Sequence, residues 1–266
     1  MGSLKIYLKL MGLSIKCRTQ YRADFITGIL SIITLNVIQL GFMGILVYRF
    51  NNINTWGIWH ILFLYSLWML GHSIFAIFFW HLLDLEAYVV QGTFDQYFTK
   101  PVNIFMQFIL QDVQYMGFGD MLIGAAGIVL AYRNLNLDWD IYKAVFFIVS
   151  VLSGSIIEIA IMWMCGSVSF WVTRSSPLFA IISQLDSMVQ RFPLDVFGTG
   201  FRTFVTAFIP VAFINYYPSL VLLHRPGLPG KWSLLSYASP FVGCILLLIA
   251  IKIWNAGLKA YSSSGS

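Results

Sequence analysis

Ala144–Trp171, AVFFIVSVLSGSIIEIAIMWMCGSVSFW, carries a single charged side chain, Glu158, in 28 consecutive residues. A run of ~20 apolar residues is enough to cross a bilayer, and no soluble helix could leave such a surface uncovered. The rest of the chain agrees. Of 266 residues, 16 are Lys or Arg and 11 are Asp or Glu, so 10% are charged, against about a quarter in soluble domains. Mean hydropathy is +0.79. The composition is that of an all-α polytopic membrane protein.

A scan outward from this run predicts six spans: Phe25 to Val47, Trp56 to Trp80, Gln111 to Ala131, Ala144 to Trp171, Phe201 to Tyr217 and Phe241 to Trp254. Between the last two, Tyr217, Pro218, Arg225-Pro226-Gly227, Pro229-Gly230 and Pro240 break apolar pieces too short to cross. Backbone of that kind survives at membrane depth only where protein or water satisfies it. It reads as a re-entrant hairpin, the alternative being a plain loop after a tilted helix. Eleven Lys and Arg then fall on the side of the termini and five on the other, which puts both termini in the cytoplasm and the hairpin outside.

The chain divides into residues 1–24, 25–260 and 261–266. In the first, Leu4, Tyr7, Leu8 and Met11 share one helical face and Lys5, Lys9 and Lys16 another. That pattern suits an amphipathic helix lying on anionic lipid. Residues 25–260 form one transmembrane domain, and the last six read as a linker or appended tail. Cys17, Cys165 and Cys244 are too scattered for a disulfide framework or a metal site. No phosphate-binding loop, H-E-x-x-H or G-x-S-x-G motif appears, so no catalytic site and no cofactor are expected on this chain, and energised work would draw on a partner or an ion gradient.

The candidate functional residues inside the membrane are acids. Asp120 shares a face with Gly117, Gly124, Gly127 and Ala131, and Glu158 with Ser155, Met162, Cys165 and Ser169. A central acid costs ~2.5 to 3.5 kcal/mol on insertion scales and must face protein or water. Two readings stay open: a lining for a translocation path or proton site, or buried acids that fix helix packing. His72, also deep in a span, reads as a satisfied polar contact. On the cytoplasmic side, residues 81–110 and the stretch between the fourth and fifth spans are too polar to span, and Leu178, Ile181, Ile182, Leu185 and Met188 mark one helical face of the second. Both read as amphipathic struts against the bilayer or as docking elements for a partner.

Gly92-Thr93-Phe94-Asp95-Gln96-Tyr97-Phe98-Thr99-Lys100-Pro101 resembles the G-x-(F/L)-D-x-x-L-x-x-P pattern found in permease subunits of ATP-binding-cassette exporters of the ABC type-2 membrane superfamily, with Phe98 in place of the usual leucine. Arg191-Phe192-Pro193, Phe201-Arg202, Ile209-Pro210 and Tyr216-Tyr217-Pro218 are similar to that family's proline-marked segment. The resemblance extends to Lys259. It implies half of an export pathway in a bacterial cytoplasmic membrane, completed by a second permease, identical or homologous. Separate ATPase subunits would bind ATP and Mg. Residues 92–101 would be the coupling helix, with Phe94 and Tyr97 seated in the ATPase and Asp95 and Lys100 setting orientation. An ion-coupled transporter using Asp120 or Glu158, and a membrane-embedded immunity or scaffold protein, are the alternatives.

Overall fold

The computed structural model describes residues 22–49, 53, 55–99, 103–109, 113–172, 174–225 and 230–262. Residues 1–21 of the expected interfacial helix, and Lys100, Pro101, Pro226 and Gly227, lie outside the described residues. The elements are helices: α1 (Arg22–Arg49), α2 (Ile58–Phe78), α3 (Leu85–Val90), α4 (Ile104–Ile109), α5 (Gly117–Asn134), α6 (Ile141–Ser167), α7 (Ser176–Arg191), α8 (Thr199–Ala207), α9 (Tyr216–Leu222) and α10 (Ser239–Ala260), with short 3-10 turns between several of them. No strand occurs among the described residues.

Four helices are long and apolar enough to cross a membrane, namely α1, α2, α6 with its 3-10 extension, and α10. α5, 18 residues long and carrying Asp120 and Arg133, is not among them. The third span, expected from Gln111, begins as helix only at Gly117. α2 is the hub. Its contact with α5 runs along the glycine face: a Cβ on Gly127 would come 2.0 Å from Ser66 Oγ, and one on Gly117 2.7 Å from Ile77 Cγ1. Such approach is what small residues permit in membrane helix pairs. α6 meets α2 where the Ser155 hydroxyl donates to Gly71 O at 2.9 Å.

The largest departure from the sequence reading is at α7. The expected strut runs antiparallel along α2. At its start, Glu86, just beyond α2, accepts from the Ser175 and Ser176 amides at 2.7 and 2.6 Å. Midway, Trp68 Nε1 donates to both Asp186 oxygens at 3.2 and 3.1 Å. Near its end, Asn215 Nδ2 donates to both Val189 O and Leu64 O at 3.3 Å, and beyond it Asp195 Oδ2 accepts from Trp56 Nε1 at 3.0 Å. α7 thus packs on the middle of α2, and residues flanking the two helices meet beyond each end. Of its polar residues, Asp186 and Gln190 are buried, while Ser183 and Gln184 stay exposed.

Phe201 to Tyr217, expected as one span, is two pieces bent by 83°. Pro210, which has no amide to donate, stands at the break, and Pro218 sits in the first turn of α9, where that missing donor costs nothing. Both pieces stay near the Trp56 end of the bundle: Tyr216 donates to Asp195, and Arg225, just past α9, stacks 4.2 Å from the Trp56 ring and donates to Thr55.

Candidate functional site

α2 presents Tyr65, Trp68, His72 and Ala76 at helical spacing, and three other helices bring acids to that face. From α5, Asp120 accepts from Asn36 Nδ2 of α1 at 2.7 Å, and Asn36 Oδ1 in turn accepts from the Tyr65 hydroxyl at 2.8 Å. From α6, Glu158 Oε1 lies 2.6 Å from His72 Nδ1. From α7, Asp186 is held by Trp68 as described above. The His72 ring stacks on Trp68 with centroids 4.5 Å apart and planes at 13°. One stack therefore links the partner of Glu158 to the partner of Asp186. Glu158 is 2% exposed, and its second oxygen has no hydrogen-bond partner among the described residues. Arg191, at the end of α7, donates to the carbonyl of Gln39 on α1, 2.7 Å from Nη2 with the amide so oriented.

The face of this cluster toward α1 is not filled. A cavity of about 330 Å³ opens there, lined by Asn36, Gln39, Tyr65, Trp68, His72, Trp80 and Asp120 among others. Asp120 is 9% exposed, and that exposure is to this space. The structure thus brings the two sequence-nominated acids to one hub through different partners. It adds Asn36, Tyr65, Trp68, His72 and Asp186, which the sequence did not nominate as a set. Gly117 and Gly124 serve the α5–α2 contact, and Ser155 bonds α2. Tyr217 shares a 2.9 Å hydrogen bond with Thr206 across the α8–α9 bend. Among the described residues, no group of three His, Cys, Asp or Glu is placed to hold a metal.

The Gly92–Thr99 segment sits at the Glu86 end. Gly92 has φ 72°, left-handed backbone that favours glycine, and it caps a 3-10 turn over Thr93–Tyr97. In a 3-10 turn residues three apart share a face. Phe94 and Tyr97 do so, but that face points inward, with exposures of 0% and 3%. The anchors expected to reach a soluble partner are core residues instead. Phe94 meets Phe170, Trp254 and Tyr261 at ring-centroid distances of 5.3, 6.2 and 5.4 Å. Asp95 accepts from the Tyr261 hydroxyl at 2.8 Å, so Tyr261 belongs to the packed domain and not to the tail. Burial, then the bond to Asp95 and its charge, push the Tyr261 hydroxyl up to about 12. What the segment leaves outside is Thr93, Gln96, Phe98 and Thr99, with Val90 and Gln91 just before it.

A family model described as ABC-2 family transporter protein matches residues 27–265. The chain belongs to the ABC-2 transporter family. Members are permease subunits of ABC transporters, generally without catalysis of their own, and they associate with ABC ATPases. The permease is accordingly a multi-pass membrane protein. Comparison with curated proteins and with solved structures gave no match.

Proposed function

We infer that the permease forms half of the translocation pathway of an ATP-driven exporter, facing a second permease across α7, with ATPase subunits docking at the Glu86 end. The observation that carries this is the outward face of α7. Ser183 and Gln184 are exposed midway along a helix whose opposite side is buried on α2 at Asp186. Polar groups at that depth face protein or a water-filled path rather than lipid. In this reading α1, α2, α5, α6, α7 and α10 make the six crossings, and α8–α9 is the re-entrant hairpin, entering from the Trp56 side. Nine Lys and Arg then lie at the Glu86 end and seven at the other, which keeps the Glu86 end in the cytoplasm by a smaller margin than the sequence reading gave.

Single cysteines at Gly200 and Ala87, in a background lacking the native three, test the topology. Gly200 has open space where a Cβ would stand and should react with an impermeant thiol reagent from outside, and Ala87 only after permeabilisation. Labelling of Gly200 from the cytoplasm alone would restore a crossing by Phe201 to Tyr217. Docking is tested by Val90→Asp with Phe98→Asp, both positions being about half exposed. The pair should insert normally and lose the copurifying ATPase, whereas full recovery of that subunit would move the docking face elsewhere.

A further inference from the structure

The chemistry of the cavity beside α1 is one-sided, and this rests on the pathway reading above only for its connection to transport. Three donors beside it are already engaged. Tyr65 donates to Asn36, Asn36 to Asp120, and Trp68 to Asp186. The lining also holds a carboxylate with one oxygen engaged by Asn36, the rings of Tyr65, Trp68 and Trp80, and the amides of Gln39 and Gln190. The rings of Tyr65, Trp68 and Trp80 all border the space. Aromatic walls with an acid at one end are the arrangement that attracts organic cations through ring quadrupoles and charge together.

Charge counting supports the same ligand class. The groups facing the cluster from all four helices and from α1 are Asp120, Glu158, Asp186, His72 and Arg191. Three acids stand against two basic groups, so with all five charged one negative charge is left over. Arg191 is held at the Gln39 end, one helical turn along α1 from Asn36, so the uncompensated acid is at the Asp120 end. An anion would meet a carboxylate there, and a neutral alkane would leave it unpaired in a low-dielectric site. The volume of about 330 Å³ is at the small end for ligand sites and takes a cationic headgroup with one ring or short chain, not a whole peptide. We propose that this cavity, between α1, α2 and α5, is a binding site for an amphiphilic organic cation, with Asp120 as counter-ion and Trp68 and Trp80 as walls.

The test is equilibrium binding of radiolabelled benzyltrimethylammonium to the full chain in lipid nanodiscs. Saturable binding is expected, displaced by the unlabelled cation and not by phenylmethanesulfonate, which has a similar shape and the opposite charge. Asp120→Asn should weaken it about tenfold or more. Trp80→Leu, at a position 41% exposed and so removable without unpacking the bundle, should weaken it about threefold. Equal competition by the sulfonate, no saturable binding, or wild-type affinity in Trp80→Leu would each overturn the assignment. ATPase copurification reads the docking surface separately: its loss with cation binding intact would count against the proposed function alone.

Discussion

Near the Glu86 end, Phe94, Phe170, Trp254 and Tyr261 interlock edge to face with ring-centroid distances of 5.2 to 6.2 Å, and Phe94 is wholly buried. Midway along α2, Tyr65, Trp68, His72 and Trp80 are spaced much the same, yet three acids and an open cavity lie among them. The two regions use the same residue types toward different ends. Rings whose neighbours are rings give a stiff joint between the Gly92–Thr99 segment and α10. Rings whose neighbours are carboxylates cannot close up without leaving an acid unsatisfied, so space persists.

The strongest way to break this comparison is Phe94→Ala. If the cluster at the Glu86 end is a filled core, the loss should be about 3 to 5 kcal/mol, read as the unfolding transition of the purified permease. A loss under about 1 kcal/mol would mean the cluster is as loose as the other. Trp68→Phe sharpens the other side. It keeps a ring on His72 but strips Asp186 of the indole N–H that both its oxygens share, so a loss of about 2 kcal/mol is expected, with Asp186→Asn added in the same chain recovering part of it. Glu158→Gln should cost less, because the amide still reaches His72. Normal assembly with export abolished at every pH would show that the acid does more than pack.

The smallest effect belongs to Glu86. Its partial burial opposes the charge, but the amides and hydroxyls of Ser176 and Ser175 outweigh this and hold the carboxyl below its ordinary 4.5. A depressed carboxyl contributes stability above its unfolded value, and that contribution is lost as pH falls through the folded one. The wild type should therefore lose anchorage of the start of α7 below about pH 4.5, read as faster cysteine labelling at Arg174. Glu86→Gln should show faster labelling already at neutral pH and no further acid step.

The four helices legible in the sequence, α1, α2, α6 and α10, are those whose apolar runs need no partner to be recognised. α7 is not, because Ser183, Gln184, Asp186 and Ser187 make it look like a surface helix. What holds it on α2 is Trp68, 118 residues from Asp186, which no local pattern announces. Asp120 and Glu158 stand out as acids among apolar neighbours. Asn36, Tyr65 and Trp68 are ordinary residues in membrane helices and acquire meaning only from what reaches them. The inward aim of Phe94 and Tyr97 is half visible: their spacing puts them on one face of a 3-10 turn, but which way that face looks depends on Tyr261 and Trp254, far along the chain.

α1 and α7 also differ in length, 28 residues against 16. At ~1.5 Å per residue these are ~42 Å and ~24 Å, on either side of the ~30 Å of a hydrocarbon core. A long helix answers such a mismatch by tilting, but a short one pinned at Glu86, Trp68 and Asp195 has no such freedom. If α7 crosses as proposed, lipid beside it must thin, or be replaced by protein. Lengthening the acyl chains of a reconstituted membrane should thus drive the permease into pairs through α7, making bilayer thickness itself a control on assembly.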